Sequence, residues 1–507
     1  MLKKETIPEQ PRPLPEGPLY FVGIGGAGQS AIAYVLAQRG RPVSGADPGI
    51  SATMQARLES VGITVYKQHN AEQVGQAAAV IATDAVNETN PEIQEARRRE
   101  IPVFRRPEAL GAILNAGRGI AIAGTHGKTT TSGMVASILL AAGLDPTILI
   151  GGDLPAIEGN ARNGSGEIVL AESCEAYDGF LYLHPEIAVI LNIEPDHLDY
   201  HGTAENVYAS FARFIRQVRG GKVPGVREHR ASCVVGCAED ETVSRLLEEW
   251  EKKELRHWAG DKHLNPVPIV QLYGLDPTIY PGWRGLVSLS ARNIVHDAGG
   301  TQFECWWDTE GPLPVRLQVP GVHNVLNALA AISVAERLGI RSEDIVKGLE
   351  SFTGTGRRFE RIGELNGVLI VDDYAHHPTE IRATLAAARA AYPERRLVAI
   401  FQPHLYSRTR DFMDEFADSL TAADVVYLTD IYRAREEPIP GVSSETLAAK
   451  VRERKPDLTV HFVPEKNDLP EQLAQAVRPG DLVLTMGAGD IRAAGEKLYP
   501  ILGGTEK

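Results

Sequence analysis

The sequence has few cysteines, no apolar run long enough to cross a bilayer, no surplus of positive charge and no internal repeat. Each absence closes off a class of protein. Cysteine occurs four times in 507 residues, at 174, 233, 237 and 305. Cys233 and Cys237 have no second pair and no nearby histidine, so a zinc site is not expected. The opening segment MLKKETIPEQPRPLPEGP lacks the apolar core of a signal peptide and reads as a proline-stiffened, disordered lead-in. With sparse thiols and no export signal, a reducing cytoplasm is the expected setting. A net charge of −14 argues against a general nucleic-acid binder, and no segment predicts a membrane span. What remains is an ordinary globular composition and a length that suits two to four domains, each with its own core.

The stretch Gly119–Thr131, GIAIAGTHGKTTT, is the one the chain is organised around. Ile120 to Ala123 suit a buried strand; Gly124 to Thr129 turn the chain; Met134, Val135, Ile138, Leu139 and Ala142 follow at helical spacing. Strand, glycine turn and helix are the setting of a phosphate loop. The glycines let backbone N–H groups approach phosphate, and the helix N-terminus adds partial positive charge. Lys128 can reach the β/γ-phosphates and the Thr129 hydroxyl can ligate Mg²⁺. Only Thr125 and His126 stand between the glycines, so the loop is shorter than the general G-x-x-x-x-G-K-[ST] pattern.

Upstream, the strand Leu19–Val22 runs into Gly23-Ile24-Gly25-Gly26-Ala27-Gly28, a G-x-G-x-x-G that opens a helix, with Asp47 further on. The pattern is a dinucleotide fingerprint and gives NAD as a first reading, although any nucleotide diphosphate satisfies those glycines. Downstream, the strand Glu167–Ala171 ends in Glu172-Ser173-Cys174-Glu175, and the strand Ile187–Leu191 ends in Asn192-Ile193-Glu194-Pro195-Asp196-His197. Ligands gather at the carboxyl ends of parallel strands, so Glu172, His197 and the phosphate loop are expected to converge on one metal–phosphate centre. From Gly220 to Pro320 the pattern loosens. Basic turns at Arg227 and Arg230 and short β-like runs at Cys233–Val235, Gly285–Leu289 and Thr301–Trp306 predict an antiparallel extension without chemistry. Gly321-Val322-His323-Asn324 opens a helix to Leu338, and Arg357-Arg358-Phe359-Glu360 follows in a Gly-rich hinge. Four further strands then end in polar or Gly-rich turns: Asp372–Pro378, Gln402–Arg408, Thr429–Tyr432 and Thr485–Asp490. They predict a second dinucleotide-type fold.

Taken in order, GIGGAG, GTHGKTTT, NIEPDHLDY, GVHNVLNA, GRRFE, DDYAHHPTE, QPHLYSRT and GAGDI resemble the Mur ligases over roughly residues 19–495. The resemblance implies three α/β domains. They are a Rossmann-like N-terminal domain for the UDP-sugar (1–113), a central P-loop ATPase-type domain for ATP (114–352), and a C-terminal Rossmann-like domain for the amino acid (353–507). It also implies an amide-forming reaction in which ATP activates the lactyl carboxylate of UDP-N-acetylmuramate and L-alanine is the amine. The implied cofactors are ATP and Mg²⁺, the partners are these small molecules alone, and the chain is a monomer or homodimer. Gly23, Gly25, Gly26, Gly28, Asp47 and His69 are expected on the UDP-sugar. Gly124, Thr125, His126, Gly127, Lys128, Thr129 and Thr130 are expected on the ATP phosphates, and His323, Asn324 and Asn327 at adenine. Thr129 and Glu172 take one Mg²⁺ and His197 lies near a second. Lys128, Glu172, His197, His376 and Arg408 form the catalytic set, the last two facing the amino acid. Many members carry arginine where this chain has Leu405, so carboxylate anchoring falls to Arg408, which could otherwise pair with Asp411. A recycling ligase that joins a tripeptide to the same sugar, an NAD-dependent dehydrogenase and a nucleotide-sensing protein are the competing readings.

Overall fold

The computed structural model describes residues 12–83, 86–218, 232–260, 268–275, 287–307, 311–434 and 436–503. Three α/β sheets organise them. The first holds β1 (Leu19–Val22), β2 (Val43–Ala46), β3 (Thr64–Tyr66), β4 (Ala79–Ala82) and β5 (Val103–Arg105), in the order β3-β2-β1-β4-β5. All its pairings are parallel. β1 and β4 are apolar along their whole length and fully buried, as strands covered by helices on both faces must be.

The second sheet holds β6 (Arg118–Ala123), β7 (Thr147–Leu154), β8 (Gly159–Arg162), β9 (Ile168–Glu172), β10 (Ile187–Ile190), β11 (Cys233–Cys237), β12 (Ile269–Gly274), β13 (Val287–Asp297), β14 (Gly300–Trp307) and β15 (Leu313–Leu317). Their order is β15-β14-β13-β12-β11-β10-β6-β9-β7-β8. The expected antiparallel extension is corrected for its first strands. β11 and β12 continue the sheet in parallel beside β10, because the helix Glu241–Gly260 crosses over between them. β13 also pairs in parallel with β12, and only Ala298 and Gly299 separate it from β14. Arg227 and Arg230 lie outside the described residues.

The third sheet holds β16 (Glu360–Leu365), β17 (Val368–Asp373), β18 (Arg396–Phe401), β19 (Val425–Leu428), β20 (Thr459–Phe462) and β21 (Asp481–Met486), in the order β16-β17-β21-β18-β19-β20. Only the β16 edge pairing is antiparallel.

By contacts the chain divides into two compact units. One is Met1–Arg292, Glu304–Val315 and Leu326–Phe352; the other is Asn293–Phe303, Arg316–Val325 and Thr353–Lys507. The lead-in departs from expectation from residue 12 onward. Arg12 Nη2 donates to Glu108 Oε1 at 2.8 Å and its guanidinium lies 4.5 Å from the Phe104 ring centroid. Arg41 Nη2 in turn donates to the Gly17 carbonyl at 2.7 Å.

Candidate active site

In the first unit the phosphate loop leaves β6 at Ala123. Gly124 and Gly127 adopt φ of +140° and +82°, a region that disfavours side chains. There is also no room for one: a β-carbon at Gly124 would lie 2.9 Å from Leu191 Cβ, and one at Gly127 2.7 Å from Asn327 Oδ1. The turn after β10 fixes the loop. Thr125 N–H donates to the Asn192 carbonyl at 3.1 Å, and His126 N–H to Asn192 Oδ1 at 2.7 Å. Glu194 N–H donates to Thr125 Oγ1 at 2.9 Å. The helix Lys128–Ala141 then starts at Gly127 with no side-chain cap, so its first N–H groups are left for an anion.

Around this helix start the predicted residues come together. Thr129 Oγ1 donates to Glu172 at the end of β9, 2.9 Å from Oε2 and 3.1 Å from Oε1, and Gly151 N–H donates to Oε2 at 2.7 Å. Lys128 Nζ donates to the Gly124 and Thr125 carbonyls at 2.5 and 2.9 Å and lies 3.2 Å from Glu175 Oε2. Burial opposes its charge, but Glu175 first and Glu172 further out outweigh that, so its pKa is raised and Lys128 is an ammonium. His197 adopts φ +52° after β10, with Nε2 3.8 Å from Asp196 Oδ2. Burial lowers its pKa, yet a hydrogen bond with Cys174 and the Asp196 carboxylate push it up to about 9. His126 Nε2 lies 3.5 Å from Glu194 Oε2. Asn327 closes the loop from behind, accepting from Thr131 Oγ1 at 3.1 Å. Glu175 stands at this site beside Lys128 without any motif to mark it. It sits in the same strand-end run as Glu172 and is fully buried, which only a charged partner such as Lys128 makes tolerable.

The first glycine loop is organised by Asp47. Its Oδ2 accepts from Gly25 N–H and its Oδ1 from Gly49 N–H, both at 2.9 Å. Arg106 carries no motif signal. Its Cδ and Nη1 lie 3.1 Å from where a β-carbon on Gly28 would stand, and among the described residues it has no hydrogen-bond or ion-pair partner. His69 Nδ1 faces the buried Glu92 Oε1 at 2.9 Å. Tyr20 Oη and Asn70 N–H donate to that same oxygen, each at 3.2 Å. A carboxylate only accepts, so Nδ1 carries a hydrogen toward it.

The second unit holds the remaining residues. His323 is half-buried, and desolvation with Arg358 nearby lowers its pKa to about 4, so its ring is neutral. Asn324 Nδ2 donates to the Pro320 carbonyl at 2.7 Å. His376 Nδ1 is 2.9 Å from the Tyr374 carbonyl and 3.1 Å from Glu380 Oε2. Two acceptors at Nδ1 fix a hydrogen there. Arg408 is 8% exposed, with Nη1 3.4 Å from His404 Nδ1, and the His376 and His404 ring centroids are 6.1 Å apart. Asp411 is engaged by Arg410 at 2.7 Å. Arg357 draws the ends of β17 and β21 together through Asp372 Oδ2 at 3.1 Å, the Gly489 carbonyl at 2.9 Å and the Gly487 carbonyl at 2.7 Å.

Family models for the Mur ligase family, catalytic domain, for the Mur ligase middle domain and for the Mur ligase, glutamate ligase domain match residues 18–118, 122–335 and 357–489. A UDP-N-acetylmuramate–L-alanine ligase of Trichlorobacter lovleyi is 43% identical over 481 residues, covering 95% of this chain and 98% of that protein. The crystal structure of a UDP-N-acetylmuramate–alanine ligase from Thermotoga maritima superposes with a TM-score of 0.76 at 27% identity, over 96% of this chain and 99% of that one. A murein peptide ligase from Psychrobacter arcticus shares the fold, with a TM-score of 0.67 at 23% identity over 97% and 99% of the two chains.

Proposed function

This chain belongs to the Mur ligase family, and we propose from that premise that it joins L-alanine to the lactyl carboxylate of UDP-N-acetylmuramate with ATP, in cytoplasmic synthesis of peptidoglycan precursors. The carboxylate attacks the γ-phosphorus of ATP and ADP leaves. The alanine amine then attacks the acyl phosphate, loses a proton, and expels phosphate as the amide forms. The observation that supports this most is the meeting of Lys128, Thr129, Glu172 and Glu175 at an uncapped helix start. Phosphoryl transfer needs positioning and positive charge more than covalent help.

Each residue then has a task. The Gly124–Thr130 backbone and the Lys128 ammonium take the charge that gathers on the transferring phosphoryl group. Asn327 beside the loop, and the neutral His323 with Asn324, suit adenine. A hydroxyl and a carboxylate about a hydrogen bond apart, braced by the Gly151 amide, are the hard oxygen donors Mg²⁺ prefers, so Thr129 and Glu172 would hold it. Bound there, Mg²⁺ would neutralise phosphate charge. His197 could ligate a second ion only after losing its proton. The backbone N–H groups of Gly23, Gly25, Gly26 and Gly28, ordered by Asp47, receive the UDP diphosphate, with His69 held by Glu92 facing the UDP-sugar. His376 Nε2 accepts the amine proton and Arg408 anchors the alanine carboxylate.

Phosphate release should require UDP-N-acetylmuramate, ATP and alanine together. Release without alanine, or with a tripeptide in its place, would shift the reading to another ligase; NADH oxidation without phosphate release would replace it. Glu172→Gln should raise the Mg²⁺ concentration for half-maximal activity, because an amide keeps the contacts to Thr129 and Gly151 but offers no formal charge. An unchanged Mg²⁺ titration would move the metal elsewhere. Arg106→Ala should raise the KM for the UDP-sugar roughly tenfold or more, the effect of losing one charge-assisted contact. The KM values for ATP and alanine should hold. Equal KM values for the sugar in variant and parent would take Arg106 off the diphosphate.

A further inference from the structure

A cavity of about 420 Å³ opens in the first unit, lined among others by Arg12, Leu14, Leu36, Arg39, Arg41 and Ile113. It does not belong to the site above. Arg41 precedes β2 and Arg39 follows the helix Ala27–Gln38, so both stand at the opposite end of that helix from the glycine loop. At 1.5 Å per residue those 12 residues separate the two ends by about 18 Å. Ile113 likewise lies at the far end of the helix Arg106–Leu114 from Arg106.

The charges lining this cavity are not balanced. Arg12 is neutralised by Glu108 at 2.8 Å. Arg39 has only neutral acceptors, Asn163 Oδ1 at 2.9 Å and Thr147 Oγ1 at 3.3 Å. Arg41 has only the carbonyls of Gly17 at 2.7 Å and Pro15 at 2.5 Å. Among the described residues no carboxylate pairs with either. Arg39 is exposed at the surface, and partial desolvation lowers its pKa from the ordinary arginine value with no acid to offset it, so its charge is uncompensated. Arg39 and Arg41 thus line one cavity together with Leu14, Leu36 and Ile113.

We propose that this cavity binds a small organic phosphate monoester, its phosphate held by Arg39 and Arg41 and its carbon body against Leu14, Leu36 and Ile113. Phosphate suits it better than carboxylate. A monoester carries a charge of about −1.5 to −2 at neutral pH, which matches two cations, and guanidinium binds phosphate oxygens in a bidentate fork. The apolar lining selects against inorganic phosphate, which would leave that surface in water.

Phenyl phosphate is a suitable probe, titrated calorimetrically into the full chain with ADP and UDP present to fill the two glycine loops. We expect saturable one-to-one binding, on the order of tenfold or more weaker in Arg39→Gln/Arg41→Gln, and weaker for inorganic phosphate than for phenyl phosphate. Lys128→Ala should bind the probe like the parent. Leu14→Glu, which sets a carboxylate on the rim and keeps both arginines, should also abolish binding and decides the matter if the double variant does not fold. No saturable binding under ADP and UDP would overturn the assignment. So would undiminished affinity in variants that retain the parent's thermal midpoint, or equal affinity for inorganic phosphate.

Discussion

Lys128→Ala is expected to lower kcat by roughly 10²–10³, the usual cost of losing one preorganised electrostatic contact to a transition state. The surroundings of Lys128 complicate the experiment in a way its motif does not show. Its ammonium lies 3.2 Å from Glu175, whose side chain is 2% exposed. Removing one partner of a buried pair strands the other, at a cost of about 3–5 kcal/mol. The ammonium keeps the Gly124 and Thr125 carbonyls as further partners and some access to solvent, so the lower end applies here. The single variant should therefore lose both turnover and thermal stability. Lys128→Ala/Glu175→Gln removes the stranded charge, and it should recover the melting temperature without recovering turnover. Recovery of both would make Lys128 a structural cation, and normal turnover in the single variant would remove it from the chemistry.

Arg408→Ala is expected to raise the KM for alanine well above tenfold while the KM values for ATP and the UDP-sugar hold. A hydrogen bond to a charged group contributes about 1.5–3 kcal/mol, which is tenfold to a hundredfold in binding. Arg408 is buried beside His404, and the neighbouring Asp411 is engaged by Arg410, an arrangement that supports a role other than the Asp411 pair. With Leu405 in place of a second guanidinium at this motif, the prediction rests on the fork of Arg408. Arg408→Lys should restore part of the affinity, because a point charge replaces the fork without its planar geometry. An unaltered alanine KM in Arg408→Ala would transfer anchoring to another residue. Glycine and serine belong in the same assay, since Leu405 reshapes the pocket wall.

What could be read from the sequence was what local chemistry controls. The apolar run before Gly124 is β6, the spacing after it is the helix Lys128–Ala141, and the strand ends at Glu172 and Asn192 turn up beside that loop. Parallel strands buried on both faces leave such runs in the sequence, and their carboxyl ends leave polar ones. Partner choice was harder. Cys233–Cys237 looks the same whether it joins a sheet in parallel or antiparallel; the crossover helix that decides it has to be packed first. Arg106 lies after β5, remote in sequence from Gly28, and no motif joins them. Glu92 likewise reads as an ordinary first-turn acid of the helix Pro91–Arg98 until Tyr20, His69 and Asn70 are seen to share its oxygen.

The measurement that reaches the central claim most directly follows an oxygen atom. If ATP activates the lactyl carboxylate as an acyl phosphate, UDP-N-acetylmuramate labelled with ¹⁸O in that carboxylate must pass one labelled oxygen to phosphate for each amide formed. Mass spectrometry of the phosphate released with ATP and alanine should find one ¹⁸O atom in it. Unlabelled phosphate alongside the alanyl product would contradict the acyl-phosphate route, and release of phosphate without that product would contradict the ligase itself.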